Sequence, residues 1–186
     1  MLSAISLYWV HWALWGIAGL VLLYLALTFA VVVHEMGHFI LRHFWHVPTT
    51  TVRIGQGPML CHWGKIEWRT IPCSGANVPY TFCATNITRW KKITIYCAGP
   101  LANTIIGLGL VWMVLAIAPI LPVDSFAIGM VALVQAIGVA NLIPTRHGTQ
   151  VSDGLFIVAL WHRLEFLPPD HPCESPEFMS KMPNIQ

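Results

Sequence analysis

The sequence predicts a membrane protein built mainly of α-helices, and three observations carry this prediction. Hydrophobic residues make up 56% of the 186 residues and charged residues only 10%, whereas a soluble domain carries roughly a quarter charged residues. Residues 1–33 contain no Asp, Glu, Lys or Arg. Two more uncharged stretches, 93–123 and 125–145, are each long enough for a bilayer-spanning helix of about 20 residues. The alternative, a soluble protein with an unusually large core, is disfavoured because so few charges could not cover its surface.

The predicted fold is a three-span helical core in one domain, residues 1–166. The spans are predicted at about 13–42, 93–121 and 125–165. The third span is expected to be broken near Pro144, because the apolar piece after it, 154–162, is too short to cross alone. Irregular backbone at membrane depth is tolerated where it is buried in protein or lines a wet cavity, so the break itself indicates a site. The Pro-rich residues 167–186 are predicted to be a disordered tail.

Residues 48–82, between the first two spans, have a different composition. They are rich in β-branched and aromatic residues and are punctuated by glycine and proline, which predicts a small β-hairpin. The loop from Arg42 to Lys92 carries seven basic residues and a single acid, Glu67. The positive-inside rule therefore predicts a multi-pass integral membrane protein with this loop in the cytoplasm and the N-terminus outside.

The segment "HEMGH" at 34–38 fits the H-E-x-x-H pattern and lies on the first predicted helix. His34 and His38 are four residues apart, so both imidazoles project from one helix face and can share a metal ion. Glu35 lies beside the metal, where its carboxylate can take a proton from an attacking water and pass it to the leaving amine.

Membrane depth decides between this metal site and a pair of buried histidines with a stray acid. An unpaired carboxylate in a membrane helix costs about 2.5–3.5 kcal/mol on insertion scales. If Arg42 marks the cytoplasmic boundary, the helical rise puts His38 and His34 roughly 6 and 12 Å inside the membrane. Three ionisable groups at that depth favour a functional site, which faces the cytoplasmic side.

A catalytic zinc usually has three protein ligands, and Asp153 is the best placed of the remaining acids. It opens an apolar helix on the cytoplasmic half of the last span, at a depth that matches the first helix. Gly154 beside it allows close backbone approach. An equally good reading of its position is an N-cap of the helix that follows, and position alone leaves the two open.

Three motifs, in this order, resemble those of the site-2 protease family of intramembrane zinc metalloproteases. "HEMGH" (34–38) resembles the family's first zinc-ligand helix. "AGPLAN" (98–103) resembles its small-residue motif on the middle core helix, and "NLIP…SDG" (141–154) resembles the motif that supplies the third ligand. The hairpin sequence also resembles that of the family. The resemblance covers roughly residues 20–165.

The resemblance implies a zinc-dependent endopeptidase with Glu35 as the general base. The Zn²⁺ ligands that it implies are His34, His38 and Asp153. Asn103 and Asn141 are implied to lie near the cleft, as candidates for binding the substrate strand or the developing oxyanion. Hydrogen bonding between helices is an equally good reading of these two amides.

The sequence departs from the family pattern in the segment before Asp153. Eight residues separate Pro144 from Asp153, which is longer than the usual gap. His147 falls in this insert, where a solvated loop histidine is favoured over a contact with zinc. No PDZ-like or nucleotide-sensing domain is recognised, so a near-minimal protease core is expected.

The function predicted from these observations is hydrolysis of peptide bonds within or beside transmembrane segments. The expected partners are transmembrane protein substrates and the lipid bilayer. A net charge of +2 without a basic, aromatic-rich run argues against nucleic acid. A catalytically inactive metal-binding scaffold or carrier is the alternative, against which the intact Glu35 argues. A protease with a glutamate ligand on a later helix is disfavoured, because no such helical acid pattern follows residue 67.

Overall fold

The computed structural model describes residues 2–47, 51–77, 87–117, 129, 135–136, 138–147 and 150–162. Within them the chain forms three named helices and four strands. The elements, in chain order, are α1 (Leu2–Phe44), β1 (Val52–Trp63), β2 (Ile66–Asn77), α2 (Arg89–Ile117), β3 (Arg146–His147), β4 (Gln150–Val151) and α3 (Asp153–Trp161).

Helix α1 is one uninterrupted helix of 43 residues, because the apolar run 1–33 continues without a break into the H-E-x-x-H segment. It ends where the Val47 backbone N–H donates to the Arg42 carbonyl, with His46 in the left-handed region at a φ of 54°. Its segment Tyr8–Phe44 and the segment Arg89–Ala116 of α2 are both long and apolar enough to cross a membrane. The first two predicted spans therefore correspond to helices of suitable length and composition.

The side chain of Arg42 is buried, although the sequence indicated an exposed position. Its charge at the end of an apolar run indicated a residue at the water boundary, yet its side chain is only 2% exposed. It lies two turns after His34 and one after His38, so the three share one face of α1. Arg42 is therefore packed inside the protein, on the same face of α1 as the two histidines.

The predicted β-hairpin is present in residues 52–77. Strands β1 and β2 are joined at Gly64, which has a φ of 61°, and the end of β1 pairs antiparallel with the start of β2, from Trp63 with Ile66 onward. The beginning of β1, from Val52, also pairs with the start of β2 on its other side, so the ribbon curls on itself. Glu67 forms ion pairs with arginines on both strands.

The hairpin packs on α1 through the buried Val52 and Ile54, which contact Val31, Val32 and Phe39. Helix α2 crosses the same helix where Gly37 leaves no room for a side chain, because a Cβ there would lie 2.8 Å from the Ala102 Cβ. Close approach of the two backbones brings the H-E-x-x-H segment directly against the "AGPLAN" segment.

Helix α3 packs on α2 through a stacked pair of rings, Tyr96 and Phe156, whose centroids are 4.7 Å apart. Before it, residues 138–140 are helical and 141–143 form a turn. The third span and its break stay a prediction, because most of residues 118–137 lie outside the described residues. The predicted tail 167–186 lies outside them as well.

Candidate metal centre

The H-E-x-x-H side chains form a buried cluster on the inner face of α1. His34 and Glu35 are each 7% exposed and His38 is 2% exposed. One potential ligand atom from each of the three lies within 4.8 Å of the others. One turn of helix fixes the two imidazoles on one face, as the spacing predicted.

Asp153, at the first position of α3, comes to the same point from 119 residues further along the chain. Its Oδ2 lies 2.9 Å from the Nε2 of His34 and 3.3 Å from the Nε2 of His38, and the two Nε2 atoms are 3.2 Å apart. The alternative reading of Asp153 as the N-cap is wrong, because Ser152 is the N-cap and its side chain accepts from the Leu155 N–H.

These three separations can be compared with what a zinc ion requires. Bonds of about 2.0–2.1 Å at tetrahedral angles separate the ligand atoms by about 3.3 Å. Two imidazole nitrogens and one carboxylate oxygen are also a donor set that zinc takes, and three protein ligands leave a fourth position open. The donor types and their spacing therefore fit a catalytic zinc site.

The ring of His38 is oriented by a hydrogen bond from its other nitrogen. Nδ1 lies 2.7 Å from the backbone carbonyl oxygen of Ile95 on α2, to which it can only donate. The Nε2 that faces Asp153 then carries the free lone pair needed to bind a metal. Sequence inspection could not find this partner, since a backbone carbonyl leaves no side-chain signature.

The corresponding neighbour of His34 is Asn103 on α2. The Asn103 side chain is 1% exposed, its amide nitrogen is 3.5 Å from His34 Nδ1, and its Oδ1 has no hydrogen-bond partner among the described residues. The two ends of an amide have the same shape. If His34 binds a metal through Nε2, its Nδ1 carries a proton, and the amide turned by 180° would accept that proton through Oδ1.

Asn141 lies on the metal side of the cluster instead. Its Nδ2 donates to Asp153 Oδ2 at 2.8 Å and is 3.2 Å from His34 Nε2. Both asparagines that the sequence analysis named thus lie at the cluster. Asn103 is next to His34 Nδ1, and Asn141 is next to His34 Nε2 and Asp153 Oδ2. The side chain of His147 lies outside the described residues, and its backbone belongs to β3.

Gly99 on α2 faces the cluster and was not singled out from the sequence. A Cβ at this position would lie 2.6 Å from His34 Nε2 and 2.5 Å from His38 Nε2. Only a glycine leaves the space next to the two ligand nitrogens open. The "AGPLAN" motif contained the signal, but small residues in it were read as helix-packing residues.

These features define a buried cluster of side chains that could hold a metal ion, between helices of which two are long and apolar enough to cross a membrane. Comparison with known families agrees: the sequence pattern of peptidase family M50 matches residues 22–152, more than two thirds of the chain. The chain belongs to this family, the site-2 protease family. Comparison with curated proteins and with solved structures gave no match.

Family membership supports a membrane-embedded metalloprotease kind of function and confirms the resemblance seen in the three motifs. The matched region contains His34, Glu35, His38 and both asparagines but ends at residue 152. Asp153 is therefore connected to the site by its distances to the two histidines.

Proposed function

We propose that the chain is a zinc-dependent intramembrane endopeptidase that hydrolyses peptide bonds within or beside transmembrane segments of other membrane proteins. The observation that carries the proposal is the convergence of Asp153 on His34 and His38 at 2.9 and 3.3 Å. Buried charged groups are costly unless they are paired or bind metal. A site of this composition, in a chain of this family, has a direct use in peptide hydrolysis.

In this proposal zinc is held by His34, His38 and Asp153. When bound, it supplies a Lewis acid that polarises the scissile carbonyl and makes water a competent nucleophile at neutral pH. Glu35 is the general base: it accepts the proton of the attacking water and returns it to the leaving amine. Its burial, at 7% exposure, keeps bulk water from competing for that proton.

The surrounding amides have separate roles. Asn103 orients His34 from behind, as the Ile95 carbonyl orients His38. Asn141, in front of the ligand atoms, is the better placed of the two for contact with the substrate carbonyl. We therefore propose Asn141 as the substrate-side amide and Asn103 as a positioning residue.

The ends of the three helices support a location of the site inside the bilayer. Trp45 follows α1, Trp90 begins α2 and Trp161 ends α3. The Lys91 Nζ is 4.6 Å from the centre of the Trp45 ring, and the ring centroids of Trp90 and Trp161 are 5.5 Å apart. Tryptophan favours the membrane–water interface, so these three ends are proposed to lie at one interface.

The site residues on the three helices lie at similar distances from these helix ends. At 1.5 Å per residue, His34, Gly99 and Asp153 lie about 12–17 Å from their own tryptophans. In the opposite direction, Trp15 is about 44 Å from Phe44 along α1, close to the full thickness of a bilayer with its headgroups. Because basic residues dominate the first turn of α2, we propose that the Trp45 end is cytoplasmic and the N-terminus outside.

A substrate must unwind to reach such a site, because peptide bonds in a helix are shielded by their own hydrogen bonds. The β1–β2 hairpin can receive the unwound segment by strand addition. Residues 59–63 at the outer end of β1 are exposed and carry large apolar side chains, including Met59 and Trp63. This surface suits an extended apolar strand of the kind released from a transmembrane helix.

The test uses the full-length protein, purified in detergent and reconstituted with a single-span fusion protein whose transmembrane segment contains helix-destabilising glycine and proline. Glu35→Gln should retain one zinc per chain and lose about 10²–10⁴-fold in cleavage rate. A zinc chelator should abolish wild-type cleavage, and added zinc should restore it. Full cleavage by Glu35→Gln would contradict the mechanism. Stoichiometric zinc without cleavage of any such fusion would favour the inactive scaffold.

A further inference from the structure

The segment that departs most from the family pattern ends in a residue with an unusual number of contacts. Ser152 is 9% exposed and immediately precedes Asp153. Its Oγ accepts from the Thr145 N–H at 2.9 Å and from the Leu155 N–H at 3.3 Å, and donates to the Ile143 carbonyl at 2.8 Å. An N-cap needs only the bond to the helix that follows. The two others join it to the chain before the insert.

The backbone on both sides of Asp153 is attached to the same segment. The Ser152 N–H donates to the Thr145 carbonyl at 3.1 Å, and the Gly154 N–H donates to the Asn141 carbonyl at 3.0 Å. Gly154 also lies so close to the Leu142 carbonyl that a Cβ there would overlap it. Asp153 is thus held between two residues that are both hydrogen-bonded to residues 141–145.

The insert itself folds back as a short antiparallel ladder, β3 with β4, in which Arg146 pairs with Val151. The ladder brings the two ends of the insert together, so that Thr145 and Ser152 are neighbours despite the six residues between them. The chain therefore leaves at Thr145 and returns at Ser152, directly before Asp153.

We propose that Ser152 is a positioning residue whose hydroxyl holds the Asp153 carboxylate against His34 and His38. In this way Ser152 compensates for the long insert. The inference rests on the proposed function, because it assigns Ser152 a role towards the zinc ligand set. Asp153 Oδ2 also accepts a hydrogen bond from Asn141, which belongs to the segment 141–145 that Ser152 is bonded to. Ser152 therefore holds in place the segment that supplies this amide. A side chain without the hydroxyl loses all three bonds at once.

The experiment compares Ser152→Ala with Ser152→Thr in the full-length protein in detergent, by zinc affinity in chelator competition and by the visible absorption of the Co²⁺-substituted protein. Ser152→Ala should bind zinc about 10–100-fold more weakly, as expected for loss of a residue that orients a ligand, and should change the Co²⁺ spectrum. Ser152→Thr keeps the donor and acceptor and should restore both. Thr28→Ala is the matched control, because among the described residues that hydroxyl bonds only to its own helix, at the Tyr24 carbonyl.

If Ser152→Ala gives no folded protein, Ser152→Gly carries the test, since glycine is a tolerated N-cap without a hydroxyl. A zinc affinity and Co²⁺ spectrum equal to wild type in the variant without a hydroxyl would overturn the inference. So would Ser152→Thr that binds zinc no better than that variant. Failure of the proposed function has a different result, in which wild type binds no zinc or Asp153→Ala binds it as wild type does.

Discussion

The two halves of α1 differ in the side chains that they bury. In the N-terminal half, Trp9, Leu14 and Leu20 are more than 60% exposed. In the C-terminal half the buried side chains are Ala30 and four polar residues, His34, Glu35, His38 and Arg42. A helix in a water-soluble protein has the reverse arrangement, with its apolar face buried. This difference supports the proposal that lipid covers the first half, while the second half is organised around a buried polar cluster.

The largest effect is expected from a charge in the exposed apolar part of α1, near the middle of the helix. Leu25 is 55% exposed and lies between Trp15 and the H-E-x-x-H segment. Leu25→Arg should disfavour membrane insertion by about 3 kcal/mol, because arginine is costly at the centre of a spanning helix. The measurement is the fraction of protein that resists alkaline extraction from membranes, with Leu25→Ala as the control. Equal insertion of the arginine variant would show that this part of α1 lies outside the bilayer.

The next largest effect is expected at Gly99 on α2, which lies against the buried histidines of α1. Gly99→Ala places a methyl group against the ligand nitrogens of His34 and His38, at 2.6 and 2.5 Å before any shift. Overpacking of this kind costs about 1–3 kcal/mol, which corresponds to roughly 5–150-fold weaker zinc binding. Gly109→Ala is the matched control on the same helix, where a Cβ meets nothing within 4 Å. Unchanged zinc affinity in Gly99→Ala would place the metal elsewhere.

A smaller effect is expected at Asn103, which lies on the Nδ1 side of the His34 ring. Asn103→Ala removes the amide next to His34 Nδ1 and should weaken zinc binding about tenfold, the lower range for loss of a ligand-orienting partner. Thr104→Val, one residue along, removes a hydroxyl whose one partner in the described part of the chain is the Pro100 carbonyl, and should leave zinc affinity unchanged. Chelator competition measures both. Asn103→Ala with wild-type zinc affinity and reduced cleavage would instead assign Asn103 to the substrate.

The smallest effect is expected at Gly16, in the lipid-facing half, where a Cβ meets nothing within 4 Å. Gly16→Ala should raise helix stability by at most about 1 kcal/mol, since alanine loses less backbone entropy than glycine. Zinc affinity and cleavage should not change. A loss of either, measured beside thermal unfolding in detergent, would mean that this face packs against another protein segment.

The sequence was sufficient for the parts of the molecule that depend on local spacing. Two apolar helices, the hairpin and the cluster of His34, Glu35 and His38 all follow from the order of residues within one segment. Asp153 needed the family resemblance, because its approach from 119 residues away is a property of the tertiary fold. The roles assigned to these residues are proposals that the experiments above address.

The features missed from the sequence have physical reasons. The Ile95 carbonyl has no side chain to recognise, and Gly99 entered the sequence analysis only as one member of the small-residue motif at 98–103. The burial of Arg42 was not predicted, since a charge that ends an apolar run usually lies in water. Ser152 stood in an insert with no predicted structure, and its three hydrogen bonds appear only when both ends of that insert are brought together.

Zinc content of the purified full-length protein measures whether His34, His38 and Asp153 bind one zinc ion. Wild type should contain one zinc per chain and Asp153→Ala should lose it, because two histidines alone leave the ion short of a ligand. Glu67→Gln is the control, since that carboxylate pairs with Arg53 and Arg69 on the hairpin, away from the site. Zinc bound to Asp153→Ala with wild-type affinity would contradict the account.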